Sequence, residues 1–178
     1  ILAEIAMTFV SLADFDSKME KVLEVIGSHT DVSRVYIFED DEGGETTSNI
    51  YEWCNKGITP QIEQLQNIPY EVIPSWKKFF FEEGLVCSGN VSGLPDDLRA
   101  VLEPQGILSI VSFPIYLSGE FFGFVGFHEC TCYRPWSESD LNLLKAFCGI
   151  ISNAYERVLM ERSLRDSIEA AQAANRTK

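Results

Sequence analysis

From Ser137 to Lys178 the chain has no proline and a single glycine, Gly149. With nothing to break it, this stretch forms one helix of about 60 Å at ~1.5 Å per residue. A globular body of ~140 residues has a radius of gyration near ~14 Å, so the helix must leave the body. Ser137 followed by Asp140 approximates a capping box and sets the start. Leu144, Phe147, Ile151, Ala154 and Val158 keep a three-four spacing that can bury against a sheet. Glu161 interrupts it, and Leu164, Ile168, Ala171 and Asn175 resume one residue early, a stammer-like skip. That second half is too polar for a core and too apolar on one side to stand alone. It wants a partner helix.

The opposite end repeats the pattern. Leu2, Ile5, Phe9 and Leu12 form an apolar helical seam, open either to core packing or to a partner. Asp14 or Asp16 can cap a second helix running to about Ile26, with Met19, Val22, Leu23 and Ile26 as its stripe.

Between these ends the period changes to two. Residues 33–40 (SRVYIFED) alternate and are β-branched and aromatic, which predicts a strand. Val35 and Ile37 point one way; Arg34, Tyr36 and Phe38 point the other. A DDEGGE turn returns the chain as a second strand over 47–54. A loop and an irregular region follow to about Pro104, with one clear helix over 75–84, Ser75 as cap and Gly84 as stop. Residues 109–117 and 121–128 make a second hairpin around Ser118-Gly119-Glu120. Gly123 and Gly126 inside the last strand predict a bulge or the close approach of another group.

Charge narrows the partners. There are 27 acids against 14 bases, a net −13, and the first fifty residues carry eleven acids and three bases. Such a body repels phosphate backbones, which argues against nucleic acid and anionic membranes. No apolar run reaches the ~18–20 residues of a membrane span, and Ile1–Val10 is interrupted by Glu4. The odd count of five cysteines, with no secretory signal, predicts reduced thiols in a cytoplasm. A chain that starts without Met is expected to be a piece of a longer protein.

The segments SRVYIFED, YEWCNKGITPQIEQLQNIPYEVIPSW, IVSFPIYLSGEFFGFVGFH and RPWSESDLNLLKAF resemble a GAF domain of the type found in bacterial and archaeal sensor histidine kinases. The likeness covers roughly residues 15–158, and the hairpin with RPWSESDL is its most specific part. The ending AAQAANRTK resembles the lead into the dimerising, phospho-accepting helix of such kinases. The resemblance implies an α+β fold: a central antiparallel sheet of five or six strands, terminal helices on one face, and an irregular region capping a small-molecule pocket on the other. It implies a dimerisation helix over 1–14, the GAF domain over 15–158 and a signalling helix over 159–178 that leads to an output domain.

Several family chemistries are then weighed on the residues present. The anchoring cysteine of tetrapyrrole photosensors is commonly followed by His; here the cysteines precede Asn55, Ser88, Thr131, Tyr133 and Gly149. No bilin is expected. The cyclic-nucleotide signature is matched by Asn55-Lys56 but fails at Lys78, which stands where Phe should precede Glu82-Glu83. Cys87 is the candidate for a thiol-dependent free methionine sulfoxide reductase, the enzymatic alternative. His128, Cys130 and Cys132 bear soft ligand atoms, but a closed zinc site needs four ligands, so no metal is expected. His29 reads as a helix-end histidine complementing the carbonyl end.

The aromatic group is the remaining feature. Tyr36, Tyr51, Trp53, Tyr70, Trp76 and Phe113, with Arg34 or Ser112 as polar anchors, are the candidate ligand-binding residues, set against the reading that the aromatics merely fill space. Because the fold implied by the resemblance lays the first and last helices together, Leu2, Ile5, Phe9, Leu12, Ala154, Val158, Leu164 and Ile168 are the candidate interface of a parallel homodimer. The functional expectation is a cytoplasmic, non-catalytic sensory module of a two-component histidine kinase without a cofactor. A ligand-free dimerisation adaptor is the structural alternative.

Overall fold

Alternating apolar positions build a sheet with two different faces. The computed structural model describes residues 1–176; Thr177 and Lys178, the end of the expected long helix, lie outside the described residues. Helices run over Leu2–Thr8 (α1), Phe15–Thr30 (α2), Pro74–Glu83 (α3), Asp96–Leu102 (α4) and Glu138–Arg176 (α5). Strands run over Arg34–Asp40 (β1), Thr46–Cys54 (β2), Ile68–Pro69 (β3), Val86–Ser88 (β4), Ser109–Leu117 (β5) and Glu120–Glu129 (β6). They form one six-stranded sheet in the order β3-β2-β1-β6-β5-β4, antiparallel throughout. This is the expected α+β architecture.

One face carries Val35, Ile37, Val111, Phe113, Val125 and Phe127 against α1, α2 and α5. The α2 stripe Met19, Val22, Leu23 and Ile26 and the α5 residues Leu144, Phe147, Ile151, Ala154 and Val158 are all buried there. The other face carries Tyr36, Phe38, Ile110 and Phe124 under a cap made of α3, α4 and the loops around them. The β5–β6 hairpin closes through Ser118 and Gly119 at φ 51° and 81°, the paired left-handed geometry of a type I′ turn. Ser137 and Asp140 exchange side-chain bonds with each other's backbone N–H at 3.0 Å, so α5 starts with the reciprocal cap that its sequence announces.

Three local expectations are corrected. Pro74 occupies the first turn of α3, and the Ser75 N–H and hydroxyl both donate to Asp97 of α4 instead of capping. Asp14 stands at the start of α2 with φ 53° and makes no cap bond, while Asp16 accepts from the Tyr51 hydroxyl. The first seam is not one helix: α1 ends at Thr8, and Leu12 lies in the turn before α2.

The seams also face differently from the dimer reading. Ile5 and Phe9 are 1% and 2% exposed, and Ala154 and Val158 are equally enclosed, because α1 packs on α2 and α5 of its own chain. Arg157 fixes that packing by donating to the Phe9 carbonyl at 2.8 Å and to the Val10 carbonyl at 3.3 Å. Leu2 and Leu12 are half-buried, whereas Leu164 and Ile168 stay 63% and 48% exposed. Helix α5 is continuous across the skip at Glu161, buried on one side up to Val158 and exposed from Leu159 onward.

Candidate functional site

The cavity between sheet and cap is built from alternate residues of three strands. Arg34, Tyr36 and Phe38 come from β1, Asn49 and Glu52 from β2, and Phe124 and His128 from β6. The register sets Arg34 opposite His128 and Tyr36 opposite Gly126. Gly126 is required: a Cβ there would overlap the Tyr36 phenol, whose hydroxyl end lies over Gly126. Gly123 is equally constrained, by the Phe38 carbonyl. Trp76, Ile73, Leu102 and Gln105 close the cavity from the cap. Its volume is about 30 Å³, room for a water or two and no more.

Arg34 is the organising residue, with its guanidinium buried. Its Nη2 donates to the Thr59 carbonyl at 2.8 Å, and Nη1 stands 3.3 Å from His128 Nδ1 and 3.5 Å from Gln105 Oε1. Nε faces Glu52 Oε1 at 3.6 Å, an ion pair without a hydrogen bond. Glu52 in turn accepts from the Gln61 and Ile62 backbone N–H groups at 2.8 and 3.2 Å and from the Asn49 amide at 3.3 Å. It thereby pins the loop after β2. Burial, with the Arg34 charge beside it, holds His128 well below its usual range, so the imidazole is neutral.

Among the lining residues, Arg34 Nε, Asn49 Oδ1, Trp76 Nε1 and His128 Nε2 have no hydrogen-bond partner among the described residues, while the Tyr36 hydroxyl lies over Gly126 beside Ser112, outside the lining. Burial pushes the Tyr36 phenol up, so it stays protonated.

The cap is latched beside the cavity. The Tyr70 hydroxyl donates to Asp40 Oδ1 at 2.6 Å, and Lys77 of α3 pairs with Asp40 Oδ2 at 3.2 Å and donates to the Gly44 carbonyl at 2.8 Å. The Lys77 ammonium also sits 3.8 Å from the Tyr70 ring centroid.

Of the expected ligand residues, Arg34, Tyr36 and Trp76 line the cavity, and Tyr70 holds the cap from outside it. Ser112 is buried with its hydroxyl donating to the Val125 carbonyl at 3.0 Å, beyond the lining. Tyr51, Trp53 and Phe113 are corrected: they lie on the helix face. Tyr51 and Trp53 pair with Ile37 and Val35, so they share that side of the sheet. A bulge then shifts the register, with Phe38 opposite Asn49 and Ile50 left over, and this turns Asn49 toward the cavity. The sequence does not single out Asn49, Glu52 or Phe124, and it offers His128 only as a metal-ligand candidate. Their signal was parity, legible only once each strand's neighbour is known.

Of the cysteines, Cys130 is half-buried and Cys132 exposed, and no group of three or more His, Cys, Asp or Glu able to hold a metal occurs among the described residues. No described helix is long and apolar enough to cross a membrane.

The family model for the GAF domain matches residues 14–155. The chain belongs to the GAF domain family. As a GAF domain it is 35% identical, over 148 residues, to the methanogenesis regulatory histidine kinase FilI of Methanothrix harundinacea. That alignment covers 81% of this chain but 17% of the kinase. In fold it is similar to the phycocyanobilin-bound GAF domain of a cyanobacterial phytochrome, with a TM-score of 0.78 at 16% identity over 90% of this chain and 94% of that one. The blue-light-absorbing PixJ GAF domain of Thermosynechococcus elongatus gives 0.70 at 15% identity over 95% of each chain. At such identities the likeness is one of fold.

Proposed function

We propose that this GAF domain is the sensory module of a two-component histidine kinase, binding a small molecule under its cap and passing the change to α5. One observation carries the reading: four buried polar atoms without a hydrogen-bond partner belong to residues that line a single cavity. Buried polar groups are ordinarily paired, and each orphan costs about 1–3 kcal/mol. A site that gathers them is suited to a ligand that supplies the partners. The identity with a histidine kinase supports the class of parent protein, and a cytoplasmic setting follows from that reading.

The bilins named for the structural relatives do not fit here. The cavity is about 30 Å³ where a ligand of that size needs several hundred, and no cysteine lines it. The domain itself is read as non-catalytic. A nucleophilic thiol needs a lowered pKa, whereas desolvation pushes the Cys87 and Cys130 thiols up.

The relay runs through paired helices. Leu164 and Ile168 on the emergent part of α5, with Met7 and Val10 near α1, expose apolar surface that a parallel second copy would cover. A second reading, the ligand-free dimerisation adaptor, is favoured by the small cavity, which one or two waters could satisfy. Native mass spectrometry of the chain with a metabolite extract separates them. A retained small molecule, lost in Trp76→Ala, supports the sensor; a chain that retains nothing leaves the adaptor.

A further inference from the structure

We infer that the ligand of this cavity is a small organic carboxylate, whose oxygens complete the hydrogen bonds of Arg34, Trp76 and His128. The inference rests on the sensory reading and adds the chemistry of what is sensed.

The donors and acceptors follow from the hydrogen-bond network around Arg34. Arg34 Nη1 can only donate, so His128 Nδ1 at 3.3 Å must accept. The proton of the neutral imidazole is therefore on Nε2, which has no partner. Trp76 Nε1 is an obligate donor without a partner, and Arg34 Nε is one whose hydrogen bond is unmade, with Glu52 Oε1 at 3.6 Å as its ion-pair neighbour. Asn49 uses its amide nitrogen on Glu52, so its orphan oxygen is an acceptor. Three fixed donors thus stand against one fixed acceptor, while the Tyr36 hydroxyl lies over Gly126 beside Ser112. The missing partner must be rich in acceptors.

Charge and shape narrow it further. Arg34 and Glu52 are the charged residues of the lining. The Glu52 charge is shared among two backbone N–H groups and the Asn49 amide, which leaves the guanidinium without a well-formed ionic hydrogen bond. A carboxylate offers two oxygens with about four acceptor positions, the strongest match for a buried guanidinium flanked by neutral N–H donors. Apart from Thr47, Asn49, Gln105 and His128, the rest of the lining is aliphatic or aromatic, with the Phe38 and Phe124 rings stacked at 4.7 Å. The ligand body is therefore compact and apolar. Since about 30 Å³ holds only water, entry requires the cap to lift from the Asp40 latch.

The test titrates the 178-residue chain with acetate, propionate, butyrate, isovalerate and benzoate, each beside its primary amide. Calorimetry gives affinity, and ¹⁵N-correlated NMR follows the three indole N–H signals, with that of Trp76 assigned by its loss in Trp76→Phe. At least one carboxylate should bind ten-fold or more tighter than its amide, shift the Trp76 indole signal downfield to saturation, and weaken about ten-fold in Trp76→Phe. Equal or tighter binding of the amides overturns the inference, as does saturable binding that leaves the Trp76 signal unmoved. If no carboxylate binds at 20 mM while an extract metabolite of another class does, the inference falls and the sensory reading stands. If nothing from either source binds, both fall. The carboxylate–amide comparison in the parent chain decides the matter even where a variant fails to fold.

Discussion

The indole of Trp53 on β2 lies directly against the Cα of Gly27 on α2, in the space where any Cβ would stand. This contact holds an aromatic residue on the helix face that composition alone would assign to the ligand side. It also sets two effects against each other. Gly27→Ala gains up to about 1 kcal/mol in helix propensity, yet forcing the ring aside costs about 1–3 kcal/mol. The steric term should win. We expect a loss near 1 kcal/mol in urea unfolding and a red-shifted tryptophan emission as the ring swings outward.

His128 makes stability pH-dependent with a definite sign. Its folded pKa lies below the ordinary value of 6.5, so as pH falls through 6.5 the unfolded chain takes up a proton that the folded chain refuses. The contribution is complete above pH 6.5 and is lost on acidification toward the folded pKa. Its slope reaches at most about 1.4 kcal/mol per pH unit. His128→Gln should remove this component, so the stabilities of parent and variant should converge or cross between pH 7 and 5. Parallel curves would show that the imidazole protonates freely in the fold.

Arg157 ties the end of α1 to α5 through two carbonyls. Arg157→Ala removes two charge-assisted bonds, each worth about 1.5–3 kcal/mol in favourable cases and less for an exposed side chain such as this one. The effect should be local. Amide exchange across residues 2–12 should rise at least ten-fold, while the thermal midpoint of the domain moves by only a few degrees.

The latch on Asp40 should govern the cap. Tyr70→Phe deletes the hydroxyl that donates at 2.6 Å and leaves a half-buried carboxylate with Lys77 as its main partner. A loss of about 1–3 kcal/mol is expected. Amide exchange in α3 should rise more than in β1 or β6, since the sheet does not depend on the latch.

Assembly is testable on the emergent helix. Leu164→Glu with Ile168→Glu places charge on two of the four exposed large apolar positions of α5, which also include Leu159 and Met160, without touching the core. Sedimentation equilibrium should show a dimer for the parent at tens of micromolar and a monomer for the variant. Identical masses for the two would place the contact elsewhere.

Much of the fold was legible because its signals are local. Apolar period marks α2, the hairpins and the buried half of α5; Ser137 with Asp140 marks the start of that helix, and the Ser118-Gly119 pair marks a turn. Each depends on residues a few positions apart, and backbone geometry converts such spacing into structure with little help from the rest of the chain. The opposite orientations of Val35 and Tyr36 follow from strand pleating by the same logic.

Which residues meet was decided at longer range. Arg34 and His128 are 94 residues apart and become neighbours because β6 inserts beside β1 in the sheet order. The bulge at Ile50 then puts Tyr51 and Asn49 on opposite faces despite their matching parity in sequence. The seams illustrate the same limit. The spacing of Ile5 and Phe9 fixed that they would be buried but not by what, and the packing of α1 on α2 and α5 chose the chain itself. Hydrophobic burial is non-directional, so a sequence determines which side of an element avoids water. The identity of the partner emerges only when strand order, register and helix packing are satisfied together.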